Sequence, residues 1–245
     1  MRIDVYLCES GILSSRTEAK SLIEEGAVYV DGRQVLKPSM DVSGLEDKIS
    51  VDKTKKRYVS RGGLKLAGAL SAFGVSPIDK LCIDVGASSG GFTDCLLQNG
   101  ARHVIAVDSG RGQLAESLRC DDRVTVIENY NARYMKPSDF EYIPNLAVMD
   151  VSFISATYII RSLSDCLSDG ADFICLIKPQ FEVGRSGVGK GGIVKDSKTR
   201  DLAVRKVVDF SALHGFICKG FIQSPIKGGD GNIEYLAHFV KTQMD

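Results

Sequence analysis

The stretch LCIDVGASSGGFTDCLLQNGARHVIAVD, residues 81–108, decides the fold. Residues 80–85 (KLCIDV) end an apolar run that has no alternation, as in a strand covered on both faces. The Gly-rich turn GASSGG follows at once. FTDCLLQNG then reads as a helix closed by Gly100, and HVIAVD (103–108) as a second apolar strand ending in an acid. Strand, turn, helix and strand in this order make a parallel βαβ unit.

The same rhythm runs on toward the C-terminus. RGQLAESLR (111–119) reads as a helix, VTVIE (124–128) and NLAVMD (145–150) as strands, and ATYIIRSLSDCL (156–167) as a helix. ADFICLIKP (171–179) is a strand, and DSKTRDLAVRKVVDFSALHG (196–215) a long helix capped by Asp196 or Ser197 and closed by Gly215. FICKGFIQS (216–224) and IEYLAHFVK (233–241) are strands whose link is too short for a crossover helix, so they form an antiparallel pair at one edge. The expected architecture is α/β: a doubly wound, mostly parallel sheet with an antiparallel final strand.

Toward the N-terminus, LKLAGALSAF (64–73) is one more helix, and before it the pattern changes. Residues 48–65 carry a net charge of +6 inside a chain with 31 basic and 31 acidic residues, which marks a boundary. Ahead of it, Ile3, Leu7 and Ile12 make one helical stripe. SSRTEAKSLIEEG makes a second helix, with Ser15 and Glu18 as a capping box and Gly26 as its end. AVYVDGRQV turns on Asp31-Gly32 as a hairpin, and KISV adds a short strand. The expected division is therefore a small α+β domain with a basic linker over 1–59 and the large α/β domain over 60–245.

Composition excludes several classes. The seven cysteines stand singly, without CxxC or metal-ligand spacing to the three histidines, so neither a metal site nor a disulfide framework is expected. Nearly all of them fit small buried hydrophobes in a reducing cytoplasm. The first ten residues carry charges where a signal peptide needs an apolar run, and no stretch reaches the length of a membrane span.

The turn DVGASSGGFTD points to a nucleotide-like ligand. Gly86, Gly90 and Gly91 let backbone approach it, and the helix that follows offers free amides. Asp108 ends the next strand, 24 residues after Asp84, where an acid accepts from ribose hydroxyls. The spacing GxxxGG departs from the dinucleotide fingerprint GxGxxG. Asp84, just before the glycines, would repel a pyrophosphate but suits the cationic amino-acid end of S-adenosylmethionine. A nicotinamide cofactor and a purely structural turn stay open as weaker readings.

Ligands of open α/β sheets bind at the carboxyl ends of the strands. Asp150 and Lys178 end two strands there, Glu234 begins the antiparallel one on the same rim, and Lys65 opens the helix before the first strand. Such charges can be merely solvated or form a structural ion-pair network. Beside a cofactor cleft they also suit methyl transfer to a ribose 2′-hydroxyl. That group is a weak nucleophile and needs a base or strong electrostatic help. DVSF (150–153) stands where amino methylases carry NPPY or DPPY, and the chain has no Pro-Cys for a 5-methylcytosine mechanism.

These residues also resemble a known family, the TlyA "hemolysin" family of bacterial ribosomal RNA 2′-O-methyltransferases, in which an S4 RNA-binding domain precedes an FtsJ/RrmJ-like, Rossmann-like methyltransferase domain. The motifs are SRGGLKL (60–66), DVGASSGGFT (84–93), GRGQL (110–114), NAR (131–133), DVSFIS (150–155), KPQFEVG (178–184) and GNIEY (231–235). SRTEAKSLIEEGAVYVDG and VLKP (35–38) match in the N-terminal part. The resemblance implies a tetrad Lys65, Asp150, Lys178 and Glu234, with Lys178 as base or its equivalent, Asp150 orienting it, and Lys65–Glu234 in support. It implies S-adenosylmethionine held by Asp84, Gly86, Ala87, Ser88, Gly90, Gly91, Phe92, Asp108, Asn131 and Asp150. It implies cytidine in ribosomal RNA as substrate. Shorter relatives act on the large subunit alone, and this chain looks like the shorter type. Arg2, Arg16, Lys20, Arg33 and Lys37, with Lys55, Lys56, Arg57 and Arg61 of the basic stretch, are candidates for the RNA backbone. So are Lys190 and Lys195 of the Gly-rich loop 181–196. The alternatives are another methyl acceptor on the same fold, a non-catalytic RNA-binding protein, or a membrane-lytic one. The intact tetrad and the absence of a long apolar segment speak against the last two.

Overall fold

The computed structural model describes all residues except 25, 53–57, 185–186, 229–230 and 244–245, and the side chains of 21 and 24. Lys55, Lys56 and Arg57 therefore lie outside the described residues. The chain divides into two compact units, Met1–Arg61 and Gly62–Asp245.

In the first unit, helices α1 (Ile3–Glu9) and α2 (Arg16–Glu24) accompany a three-stranded antiparallel sheet of β1 (Val28–Val30), β2 (Arg33–Gln34) and β3 (Ile49–Val51), with β1 in the centre. Ile3, Leu7, Leu22, Ile23 and Val28 are its core. Ile12, expected on the first helix, lies beyond it, because the chain turns at Gly11 in the left-handed region. Asp31 (φ 51°) and Gly32 (φ 73°) form the hairpin turn, where both central residues need positive φ. The α2 cap differs in detail from a capping box. The Glu18 amide donates to Ser15 Oγ at 3.1 Å, but the Glu18 carboxylate accepts from the Ser14 amide, one residue earlier, at 2.9 Å.

The second unit is a seven-stranded sheet. Its strands are β4 (Leu81–Val85), β5 (His103–Val107), β6 (Val124–Ile127), β7 (Leu146–Met149), β8 (Asp172–Ile177), β9 (Phe216–Gln223) and β10 (Tyr235–Lys241), in the order β6-β5-β4-β7-β8-β10-β9. β4 to β8 are parallel; β10 runs antiparallel between β8 and β9. Ile83, Val85, Ile105, Val107, Met149, Phe173, Ile177 and Phe239 point to one face and share a core with α6 (Thr157–Cys166) and α8 (Ser197–Ala212). The other face is covered by α3 (Gly62–Phe73) and α4 (Gly91–Gln98), which pack on each other and on β10 and β5. Both faces are covered over β4, β5, β7 and β8, which is why these strands carry no polar alternation, whereas the edge strand β9 does alternate.

The helix expected over 111–119 is only α5 (Glu116–Arg119). Gly112 is left-handed and Ala115 extended, and the Gln113 side chain is drawn to Ser88, so 109–115 wraps the sheet rim instead of coiling. After β8, Pro179–Glu182 forms a short helix, α7, that the strand pattern did not indicate. The α8 cap is Asp196, whose carboxylate accepts from the Thr199 amide at 2.8 Å. All seven cysteines are free; four are buried, Cys8 and Cys218 are half-buried, and Cys120 is exposed.

Candidate active site

The order of strands grows outward in both directions from β4 and β7, so the crevice between their carboxyl ends is the topological switch point. There Gly86 leaves β4 at φ 86°, and a Cβ on it would stand 2.5 Å from the Asp150 carbonyl oxygen. Only glycine lets the two strand ends come this close. A cavity of about 360 Å³ opens on the crevice, lined by Gly86, Ser88, Asp108, Tyr130, Asn131 and Asp150 among others.

Asp108 is fixed from two sides. The Ser88 amide donates to its Oδ2 at 2.7 Å and the Gly110 amide to its Oδ1 at 2.6 Å. Asn131 accepts from the Arg133 amide at 3.2 Å and is held at the cavity wall. Asp84 is wholly buried; Thr93 Oγ1 donates to its Oδ2 at 2.7 Å, while Oδ1 has no hydrogen-bond partner. Burial pushes the Asp84 carboxyl up to about 7; the Thr93 bond opposes this, and the nearby charges of Asp150 and Asp108 add to it. Asp108 and Asp150 put two carboxylates on the cavity wall, while Asp84, with its open buried acceptor, is not among the lining residues. Ala87, Gly90, Gly91 and Phe92 are buried and do not line the cavity. Gly90 instead leaves room for Leu114 and Leu118, whose Cδ1 atoms would stand 2.8 and 2.3 Å from a Cβ there.

The four rim residues form two pairs. Lys65 Nζ donates to Glu234 Oε2 at 2.6 Å, with both side chains at least nine-tenths buried. Lys178 Nζ lies 2.5 Å from Asp150 Oδ1 and donates to Ser152 Oγ at 2.6 Å. Asp150 Oδ1 has no partner in hydrogen-bond geometry, so its contact with the ammonium is ionic rather than directed. Register brings the pairs together: Tyr235 faces Ile177 across β10 and β8, which sets Glu234 beside Lys178.

Three residues at this crevice escaped the sequence reading. Ser152 holds Lys178; its only signal was its place inside DVSF. Tyr130 lines the cavity and donates its hydroxyl to Asp139. Phe153 is 93% exposed at φ 63°, strained for a bulky residue, with its ring tilted against Phe181 at 5.4 Å between centroids.

Of the expected RNA contacts, Arg2 and Arg16 converge on buried Asp4, at 3.0 and 3.1 Å. Lys20, Arg33, Lys37, Lys190 and Lys195 are exposed, and Arg61 is half-buried. Among the described residues no group of His, Cys, Asp and Glu could hold a metal ion, and no helix is long and apolar enough to cross a membrane.

Switch-point cavity, carboxylate-rich crevice and paired rim charges define a methyltransferase of the doubly wound class, whose cofactor is S-adenosylmethionine. The FtsJ-like methyltransferase family matches residues 58–241 and the S4 domain residues 1–49. The 16S/23S rRNA (cytidine-2'-O)-methyltransferase TlyA of Mycobacterium tuberculosis is 43% identical over 244 residues, covering 100% of this chain and 91% of the relative. The 23S rRNA (cytidine-2'-O)-methyltransferase TlyA of Campylobacter jejuni is 34% identical over 263 residues, covering 98% and 100%. A solved structure described as a hemolysin from Streptococcus thermophilus superposes with a TM-score of 0.78 at 45% identity, over 99% of this chain and 89% of that one. The chain belongs to the TlyA family, FtsJ-like methyltransferases that carry an N-terminal S4 domain.

Proposed function

We propose that this chain methylates the ribose 2′-hydroxyl of a cytidine in ribosomal RNA. Residues 60–245 are the methyltransferase domain and 1–59 an S4-like RNA-binding domain with its basic linker. The observation that carries this reading is the pair of Lys–acid contacts, Lys178–Asp150 and Lys65–Glu234, on the rim of the cofactor crevice.

S-adenosylmethionine supplies an electrophilic methyl group on a sulfonium. The residues present fit it. Among the cavity-lining residues, Asp108 would take the ribose hydroxyls, Gly86 and Ser88 the close backbone approach, Asn131 the far wall and Asp150 the cationic end, with the carboxylate of Asp84, buried outside the lining, adding its charge there. Lys178, steadied by Asp150 and Ser152, faces the acceptor. As the oxygen–carbon bond formed, the methyl–sulfur bond would break and release the neutral thioether; the Lys178 amine would take the hydroxyl proton, and Asp150 would steady the ammonium so formed. Lys65–Glu234 balances charge beside it on the rim. Phe153 offers an exposed flat ring on which an unpaired base can stack.

Arg2, Arg16, Lys20, Arg33, Lys37, Arg61, Lys190 and Lys195 are proposed to meet RNA phosphates. Both named relatives act on 23S rRNA, one of them on 16S rRNA as well, which supports the large subunit as a substrate and the cytoplasm as the place of action. The test is to map ribose methylation on ribosomal RNA from a strain lacking the gene, with and without purified protein and cofactor. A new 2′-O-methylcytidine in 23S rRNA is expected. Label on a base overturns the acceptor, and label in 16S rRNA alone overturns the subunit preference.

A further inference from the structure

Glu182 is a nearly buried carboxylate beside the rim that the mechanism above does not use. It ends α7, four residues after Lys178, and only 2% of its side chain is exposed. Each oxygen is engaged. Oε1 accepts from the Ala156 amide at 2.7 Å, and Oε2 accepts from Ser155 Oγ and, at 3.1 Å, from Lys206 Nζ on α8. Lys206 also donates to the Glu182 carbonyl at 2.9 Å, so the ammonium clasps both ends of the residue.

The segment held in this way is 150–156, which carries Asp150, Ser152 and Phe153. It is irregular and includes the strained φ of Phe153. Its first amide, Asp150, is tied to the Val85 carbonyl at 3.0 Å, and its last, Ala156, to Glu182. Glu182 thus joins the segment bearing Asp150 and Ser152 to the segment bearing Lys178. A buried carboxylate with one cation and two further donors is a high-stakes network: satisfied, it fixes geometry; broken, it leaves uncompensated polar groups.

We infer that Glu182 is a positioning residue for methyl transfer, a clamp that sets the Lys178 ammonium against Asp150 and Ser152. The inference rests on the catalytic role proposed for Lys178. Misplacing a reacting group by about an ångström can lower a rate by about a hundredfold. Glu182→Gln keeps the shape and an acceptor for Ala156 but loses the charge facing Lys206.

The experiment compares wild type, Glu182→Gln, Lys178→Ala and Asp172→Asn on ribosomal RNA. It records kcat, KM for RNA, cofactor affinity by calorimetry, and Tm. Asp172 pairs with Lys80 and His238 at the other end of β8, so its variant reports what loss of a structural ion pair alone does. Glu182→Gln is expected to lower kcat about tenfold or more, with KM and cofactor affinity within about twofold, while Asp172→Asn lowers Tm and leaves kcat unchanged. A Glu182→Gln enzyme with wild-type kcat, beside an inactive Lys178→Ala, overturns the clamp. An active Lys178→Ala overturns instead the catalytic reading on which it rests. If Glu182→Gln does not fold, Ser155→Ala, which removes the hydroxyl donated to Glu182 together with its contacts to Thr157 and Lys206 but leaves both charges in place, is used with the same two outcomes.

Discussion

The ammonium of Lys65 and the carboxylate of Glu234 meet at 2.6 Å although 169 residues separate them. One sits on the first helix of the large unit and the other at the head of its last strand. They meet because β10 enters the sheet antiparallel, beside β8, with its N-terminal end on the rim where the parallel strands finish. Gly228 makes the space: a Cβ there would stand 2.4 Å from Glu234 Oε1.

A buried pair of this kind separates stability from activity. Removing one partner, in Lys65→Met or Glu234→Gln, strands the other charge and should cost about 3 kcal/mol of stability as well as most activity. The double variant Lys65→Met/Glu234→Leu should regain most of the stability and none of the activity. Urea unfolding and methyl-transfer rates measure the two separately. A double variant that is active would reduce the pair to a structural strut.

Gly86 makes a sharper local prediction. Its substitution by Ala meets two obstacles, the left-handed φ of 86° and the Asp150 carbonyl oxygen at 2.5 Å. Gly74, at φ 66°, has nothing within 4 Å of its missing Cβ and meets only the first. Gly74→Ala should therefore cost about 1 kcal/mol and leave transfer intact. Gly86→Ala should cost more and also weaken cofactor binding and kcat, because the backbone that must yield carries Asp150. Similar losses in both variants, by thermal unfolding and calorimetry, would show that the crevice tolerates the extra carbon.

The rim tetrad was legible because strand ends are marked by composition: an apolar run stops where Asp150 or Lys178 stands. The pairing within it came from the family resemblance, and in the structure β10 brings Glu234 back to that rim. What stayed hidden depended on side chains reaching across elements. Glu182 looked like one more charge in a Gly-rich loop, and its partners Ala156 and Lys206 are 26 and 24 residues away. The segment 111–114 had helical periodicity, but Gly112 and the pull of Ser88 on Gln113 overrode it. Gly90 carried a ligand-binding reading from its motif, whereas its missing Cβ serves the packing of Leu114 and Leu118.

Among the basic residues of the first unit, the structure ranks the candidates. Arg2 and Arg16 share their charge with Asp4, which is fully buried, so replacing either weakens the unit as well as any hold on RNA. Arg33 and Lys37 are exposed on and just after β2. Charge reversal at both, Arg33→Glu/Lys37→Glu, should leave Tm unchanged and weaken RNA binding. The slope of log affinity against log salt should fall by about 1 for each phosphate that the variant no longer neutralises. Binding titrations at several salt concentrations provide the measure. An unchanged slope would remove this edge from the RNA-binding face.

Asp84 ties cofactor binding to pH. Burial is the main cause that pushes its carboxyl up to about 7, and the folded protein therefore favours the protonated form over a wide range in which the unfolded chain is ionised. The sign follows from that elevation. Stability from this group is full below the unfolded value of about 3.9 and is lost as pH rises through 7. A cationic ligand reverses the preference, since it needs the carboxylate. Below pH 7 binding must then expel the proton, and affinity should fall by up to about tenfold per pH unit. Calorimetry at pH 6 in two buffers of different ionisation enthalpy should find close to one proton released per S-adenosylmethionine bound. In Asp84→Asn both the release and the pH dependence should vanish, with weaker binding throughout. Affinity that stays flat from pH 5.5 to 7 in the wild type, with no proton released, would mean that Asp84 serves α4, through Oδ2 and Thr93, and not the cofactor.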